Sequence, residues 1–123
     1  MISKKLFSLA KTSIGDLIVG LAFGKLSKLL PVKVVKETSK VIAFWHPKPF
    51  WEKHILIVPK KAIKKITAIK ESDLEYIKEV YLVTKEIVNE LGWGKEGYTL
   101  TTNGGNRQEV NQLHFHLWSG SQK

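Results

Sequence analysis

The run His54-Ile55-Leu56-Ile57-Val58-Pro59 is near-continuously apolar and of strand length. A run without alternation, bounded by a proline, reads as a central strand packed among neighbours. A chain that carries one such strand must supply others to flank it. Val32–Val35, Val41–Trp45, Tyr98–Thr102 and Gln112–Trp118 are the candidates, with a turn at Glu37–Lys40. Between the second and third candidates, Leu74, Ile77, Val80, Tyr81, Ile87, Val88 and Leu91 mark the apolar stripe of a long helix. Ser72-Asp73-Leu74-Glu75 has the form of a capping box at its start, and Gly92 stands where a helix ends. Lys60–Ile66 predicts a short basic helix. His46-Pro47-Lys48-Pro49 is a rigid loop, because each proline fixes φ and restricts its predecessor. Without long βαβ alternation, the economical architecture is α+β: about five strands, mainly antiparallel, with one long and one short helix on one face.

The first thirty residues are read separately, as an N-terminal helical extension to a domain over 31–123. Basic residues precede an apolar run, the outline of a signal peptide, but Asp16, Lys25 and Lys28 interrupt it and no small-residue cleavage site follows. The longest uncharged run, Leu17–Gly24, falls short of the ~20 residues a bilayer span needs. One or two helices are expected, stopped by Pro31. Packing on the chain's own sheet or across a dimer is favoured over an amphipathic segment resting on a membrane. Gly20-x-x-x-Gly24 permits close helix contact but is a weak pattern alone.

The 123 residues suit one domain. With no cysteine, disulfides, thiolate metal sites and cysteine nucleophiles are excluded. Charge is uneven: through Lys70 there are 15 Lys against Asp16, Glu37 and Glu52, and from Glu71 onward 5 Lys and Arg against 8 acids. Such a field favours anionic partners, although a solvated lysine surface is the commoner outcome. Lys60, Lys61, Lys64 and Lys65 are read that way, since no nucleic-acid motif accompanies them. Most of the four tryptophans are expected in core or interface; Phe50-Trp51 and Trp118 are the better candidates for a pocket mouth.

The chemistry concentrates in Gln112-Leu113-His114-Phe115-His116-Leu117-Trp118. Strand alternation would put Gln112, His114 and His116 on one side and Leu113, Phe115 and Leu117 in the core. Upstream, Asn103-Gly104-Gly105-Asn106 is a turn able to bring a ligand to that side. A neutral imidazole is a good nucleophile near pH 7 and can form a covalent N–P bond. Its second nitrogen then needs an acceptor, and phosphoryl oxygens need donors. Structural histidines and a metal site are the alternatives. The metal site is disfavoured because no acid flanks the pair and His46 and His54 would have to converge.

The same stretch resembles the histidine triad (HIT) motif, with Gln112 in the first His place. The likeness extends through Ala43-Phe44-Trp45-His46-Pro47, His54 to Lys61, Tyr98 to Gly104 and Gln108-Glu109-Val110, in family order, from about Pro31 to Gly120. It implies a HIT fold, commonly dimeric, and a hydrolase or transferase acting on a nucleoside phosphoramidate or dinucleoside polyphosphate, purine favoured, without cofactor or metal. It implies that His114 attacks the α-phosphate, forming a nucleotidyl-histidine that water releases, and that His116 donates to a phosphate oxygen. His54 would support them, Asn103 contact phosphate or ribose, Gln108 and Val110 approach the phosphate, and Phe44 line the base pocket. There are departures. Gln112 cannot take up a proton. His46 stands where an acidic residue usually grips the ribose, and Arg107 replaces a glycine near the phosphates, where it could hold additional phosphate oxygens. The alternative is a nucleotide-binding or adaptor module that no longer turns over. A cytoplasmic location is expected, with no specific nucleic-acid partner and a membrane surface disfavoured.

Overall fold

The computed structural model describes residues 14–22 and 32–123. Expectations about residues 1–13 and 23–31, among them Gly24 and Pro31, lie outside them. The elements are α1 (Ile14–Ala22), β1 (Val34–Glu37), β2 (Val41–Trp45), β3 (Trp51–Pro59), α2 (Leu74–Leu91), α3 (Trp93–Glu96), β4 (Thr99–Thr101) and β5 (Phe115–Gln122). They form one five-stranded sheet in the order β1-β2-β3-β5-β4, antiparallel throughout. The apolar run at 54–59 is therefore the middle strand, as its composition requires.

That run also has a consequence the expected one-sided architecture missed. Helices cover both faces of the sheet. On one face Val41, Ala43, Ile55, Ile57, Phe115 and Leu117 pack under Val80, Val83, Ile87 and Val88 of α2. On the other, Ile42, Phe44, Leu56 and Val58 pack under Leu17, Ile18, Leu21 and Ala22 of α1. Successive residues of a strand point to opposite faces, so β2 and residues 55–58 of β3 must be apolar at every position to serve two layers. The apolar side of residues 14–22 is thus spent on the chain's own sheet. No helix among the described residues is long and apolar enough to cross a membrane.

Three local expectations are corrected. Lys60–Lys65 is not helical: it bends at Lys60 and Lys61 and runs on without regular structure to a short 3-10 turn at Ile66–Ala68. Its polar backbone is committed elsewhere: Ile63 N–H donates to Gln112 Oε1 at 3.3 Å, and the Ile63 carbonyl accepts from Leu113 N–H at 2.7 Å. Those long-range bonds take groups that a helix would pair internally. The capping box expected at Ser72 does not form and α2 starts without a side-chain cap; Asp73 Oδ2 instead accepts from Lys70 N–H at 2.9 Å across the preceding 3-10 turn, Glu71–Asp73. The buried side of α2 is Val80, Val83, Thr84, Ile87 and Val88, while Leu74, Tyr81 and Leu91 are exposed. Its end is as read, with Gly92 left-handed at φ 72°.

Candidate functional site

On the α1 face the apolar layer gives way to imidazoles. His54 and Leu56 alternate on β3, and His116 and Trp118 on β5, with Leu56 opposite His116 and His54 opposite Trp118. His46 follows β2, and its ring lies 4.4 Å from that of His54 and 6.1 Å from that of His116. His114 precedes β5, its ring 5.2 Å from that of His116. Together they line a cleft of about 730 Å³ whose other walls include Thr101, Asn103, Arg107, Gln108, Glu109 and Val110. Phe50, Trp51 and Trp118 also line it. Trp51 and Trp118 are stacked at 3.5 Å, whereas Trp45 and Trp93 belong to the α2-side core.

The hydrogen bonds fix which ring nitrogen carries the proton. In Pro47-Lys48-Pro49-Phe50 only Lys48 and Phe50 have an amide hydrogen. Both are given to imidazoles: Lys48 N–H donates to His46 Nδ1 at 3.0 Å, and Phe50 N–H to His54 Nδ1 at 3.1 Å. Each Nδ1 therefore holds a lone pair, and in the neutral ring the proton sits on Nε2. His54 Nε2 then donates to His116 Nδ1 at 2.9 Å, which leaves His116 with its own proton on Nε2. His114 is opposite: its Nδ1 donates to the Gln112 carbonyl at 2.7 Å, since a carbonyl can only accept. Its Nε2 therefore bears a lone pair. The His114 carbonyl is itself held by Thr102 Oγ1 at 2.7 Å.

The rings are neutral at pH 7. Burial pushes His46 down to about 4, helped by repulsion from His114. Burial pushes His54 down to about 3, with His46 and His116 adding to it, and His116 to about 4, with His114 and His46 adding. Burial also lowers His114, opposed by its bond to the Gln112 carbonyl and by Glu109. The cleft thus offers one nitrogen lone pair beside neutral N–H donors, with Arg107 at its rim. That is a nucleophile and an oxyanion cradle.

His46, His54 and His116 bring ring nitrogens within 4.8 Å of one another, a spacing that suits a metal ion. A metal needs a lone pair from each ring. The Lys48 and Phe50 amides occupy the Nδ1 lone pairs of His46 and His54, and the other nitrogens present protons. The trio as bonded repels a cation and suits an anion.

Three residues singled out from sequence sit differently from expectation. Gln112 lies ahead of β5, and its side chain does not line the cleft. Its amide is buried against backbone, donating to the Lys61 carbonyl at 2.9 Å. Phe44 is fully buried beneath α1 and does not line the cleft; Leu56, one strand nearer, does. Gln108 lines it, but its amide N–H groups are taken by the Lys64 and Val110 carbonyls, at 2.7 and 2.8 Å. Sequence reasoning missed Thr101, Lys48, Glu109, Leu56, Ile14, Gly15 and Ile18 as lining residues. The first is legible once its register with His116 is known; the last three carry no polar signal. Of the basic segment, Lys60 pairs with Glu37 at 2.6 Å and Lys61 with Asp73 at 2.5 Å.

Comparison with known proteins gives the family and the fold. The family model for the HIT domain matches residues 27–123. An uncharacterised HIT-like protein of Methanocaldococcus jannaschii is 37% identical over 91 residues, spanning 72% of this chain and 68% of that protein. One of Rickettsia prowazekii is 32% identical over 98 residues, 77% of this chain and 82% of the other. Among solved structures, a HIT family hydrolase from Legionella pneumophila superposes with a TM-score of 0.74 at 31% identity, covering 86% of this chain and 93% of that one. A histidine triad nucleotide-binding protein from Candida albicans gives 0.67 at 27%, covering 82% and 71%.

Proposed function

The chain belongs to the HIT domain family, and from that premise we propose that it is a nucleotide hydrolase or nucleotidyl transferase acting through a nucleotidyl-histidine on His114. The substrate is a nucleoside phosphoramidate or a dinucleoside polyphosphate, purine favoured. The Nε2 lone pair of His114 forms a bond to the α-phosphorus while the bond from phosphorus to the leaving amine or phosphate breaks, its electron pair departing with the leaving group. An amine takes its proton from water. A second water then attacks phosphorus, the N–P bond breaks, and Nε2 recovers its lone pair as nucleoside monophosphate leaves. His116 Nε2–H holds a phosphoryl oxygen, with His54 fixing its tautomer; being neutral, His116 donates a hydrogen bond and not a proton. Asn103, Arg107 and the Val110 backbone complete the cradle. His46 takes the position near the sugar as a donor, not as a carboxylate.

The observation that carries this reading is the bond from His114 Nδ1 to the Gln112 carbonyl, which leaves Nε2 unprotonated at a donor-lined cleft. Incubation with adenosine 5′-phosphoramidate and a quench in base should yield nucleotide on His114, and none in His114→Ala. Turnover that survives in His114→Ala refutes the assignment. A second reading is favoured by the Gln112 amide facing backbone: nothing at that position exchanges protons. It is a nucleotide-binding module, distinguished by saturable AMP binding without turnover at high protein concentration.

We further propose a cytoplasmic homodimer with residues 31–123 as its domain. Support comes from exposed Leu74, Tyr81 and Leu91 on α2 and Tyr98 beside the edge strand β4. A single-chain mass in equilibrium sedimentation would remove the dimer.

A further inference from the structure

We propose, resting on the nucleotide reading above, that His46 and Lys48 form a second anion-holding point in the cleft, and that the preferred ligand carries a phosphate on its sugar, at the 2′ or 3′ position, besides the one at His114. Asn103, Arg107 and Val110 come from the segment joining β4 to β5, whereas His46 and Lys48 come from the segment joining β2 to β3. The strand order β2-β3-β5-β4 sets these segments on different sides of the cleft. With Nδ1 of His46 taken by the Lys48 amide, the ring proton is on Nε2. That N–H has no partner among the described residues, and no buried side-chain nitrogen or oxygen among them lacks one. The Nε2–H of this largely buried ring is therefore open to the cleft that the ring lines. The reaction at His114 does not use it. Lys48 lines the same cleft, and among the described residues no carboxylate pairs with it, whereas Lys36, Lys53, Lys60 and Lys61 each pair with an acid. Of the residues lining the cleft only Glu109 is acidic, and it sits on the other segment, where it acts on His114. Pro47 and Pro49 stiffen the backbone on either side of Lys48, and its amide is bound to the imidazole, so the ammonium stem starts beside the ring. A ribose diol presents two O–H groups that seek acceptors, and neither an ammonium nor the N–H of a neutral imidazole accepts. A phosphate presents acceptors alone, and both donors then make charge-assisted bonds.

Calorimetric titration of the full chain compares AMP, adenosine 2′,5′-bisphosphate, adenosine 3′,5′-bisphosphate and ADP at one ionic strength. At least one sugar bisphosphate should bind about tenfold more tightly than AMP, the worth of a hydrogen bond to a charged group. Lys48 is exposed, so its replacement spares the fold. Lys48→Ala should remove the advantage and leave AMP binding near that of wild type, because the main-chain amide, and with it the His46 tautomer, is kept. Lys48→Glu should reverse the order, with AMP the tighter ligand. Lys78→Ala removes the same charge from an exposed position on α2, outside the cleft, and should leave the advantage intact. The inference is overturned if the advantage survives Lys48→Ala, or if Lys78→Ala removes it as well. An equal, Lys48-dependent gain for ADP also overturns it, since the second phosphate would then be held along the chain and not on the sugar. If wild type binds AMP as tightly as both sugar bisphosphates, this inference alone falls; if none of the four ligands binds, the nucleotide reading falls with it.

Discussion

The two faces of the sheet use the same strands for different ends. Ile55 and Ile57 of β3, with Phe115 and Leu117 of β5, face α2 in a continuous apolar layer. His54 and Leu56, with His116 and Trp118, face α1 and divide their side between packing and chemistry. One face is closed by an eighteen-residue helix, the other by nine residues of α1 and a cleft. The difference teaches where rigidity comes from. The α2 face holds the strands in register, and that register holds the imidazoles at hydrogen-bonding distance on the far side.

If so, damage to one face should separate from damage to the other. The largest effect is expected from His114→Ala, with turnover falling by about 10³-fold or more and thermal stability little changed. Stopped assays with melting curves check both. A melting loss as large as the catalytic one would mean that the ring serves the fold. Next, Ile57→Ala should cost about 2–5 kcal/mol in urea unfolding while AMP affinity holds, because the cavity opens on the α2 side. Its neighbour Leu56→Ala should cost stability and AMP affinity together; identical behaviour of the pair would erase the division between faces. Third, Gln112→Ala should cost about 1–3 kcal/mol, since it strands the Lys61 carbonyl and Ile63 N–H. The main-chain acceptor for His114 remains, so turnover should fall less than tenfold by this account.

The smallest effect is read in mild acid. His46, His54 and His116 are held below their ordinary 6.5, at about 4, 3 and 4. Below 6.5 the unfolded chain binds protons that the folded chain refuses, so stability falls with pH and goes on falling until about 4 to 3. Between pH 7 and 6 this should appear as a small drop in Tm that steepens further down. A Tm that rises on acidification over that interval would contradict neutral, desolvated rings.

How much was legible beforehand follows from range. The limits of β2, the middle place of β3 and the stop at Gly92 depend on local pattern, and each is observed. The irregular path of residues 60–65 was not legible, because its backbone answers to Gln112 and Leu113, some fifty residues on. Gln112 itself misled: alternation assigned it to the imidazole side, but its amide is held by the Lys61 carbonyl and the Ile63 N–H. The second covering helix was foreshadowed by unbroken apolarity in β2 and in residues 55–58 of β3, a signal that says two layers without saying which segment supplies the second. The four histidines were named from sequence; their tautomers could not be, since these depend on which amides the loops deliver.

That delivery leaves the site robust in an unusual way. The positions of two protons among the imidazoles are set by the Lys48 and Phe50 amides, a part of the chain common to every residue except proline. Replacing Lys48 would remove its charge from the rim yet keep the pattern at His46. Drift in this loop would therefore alter what the site attracts sooner than the form in which its rings wait, whereas a single inserted residue between Pro47 and Phe50 would misdirect both amides at once.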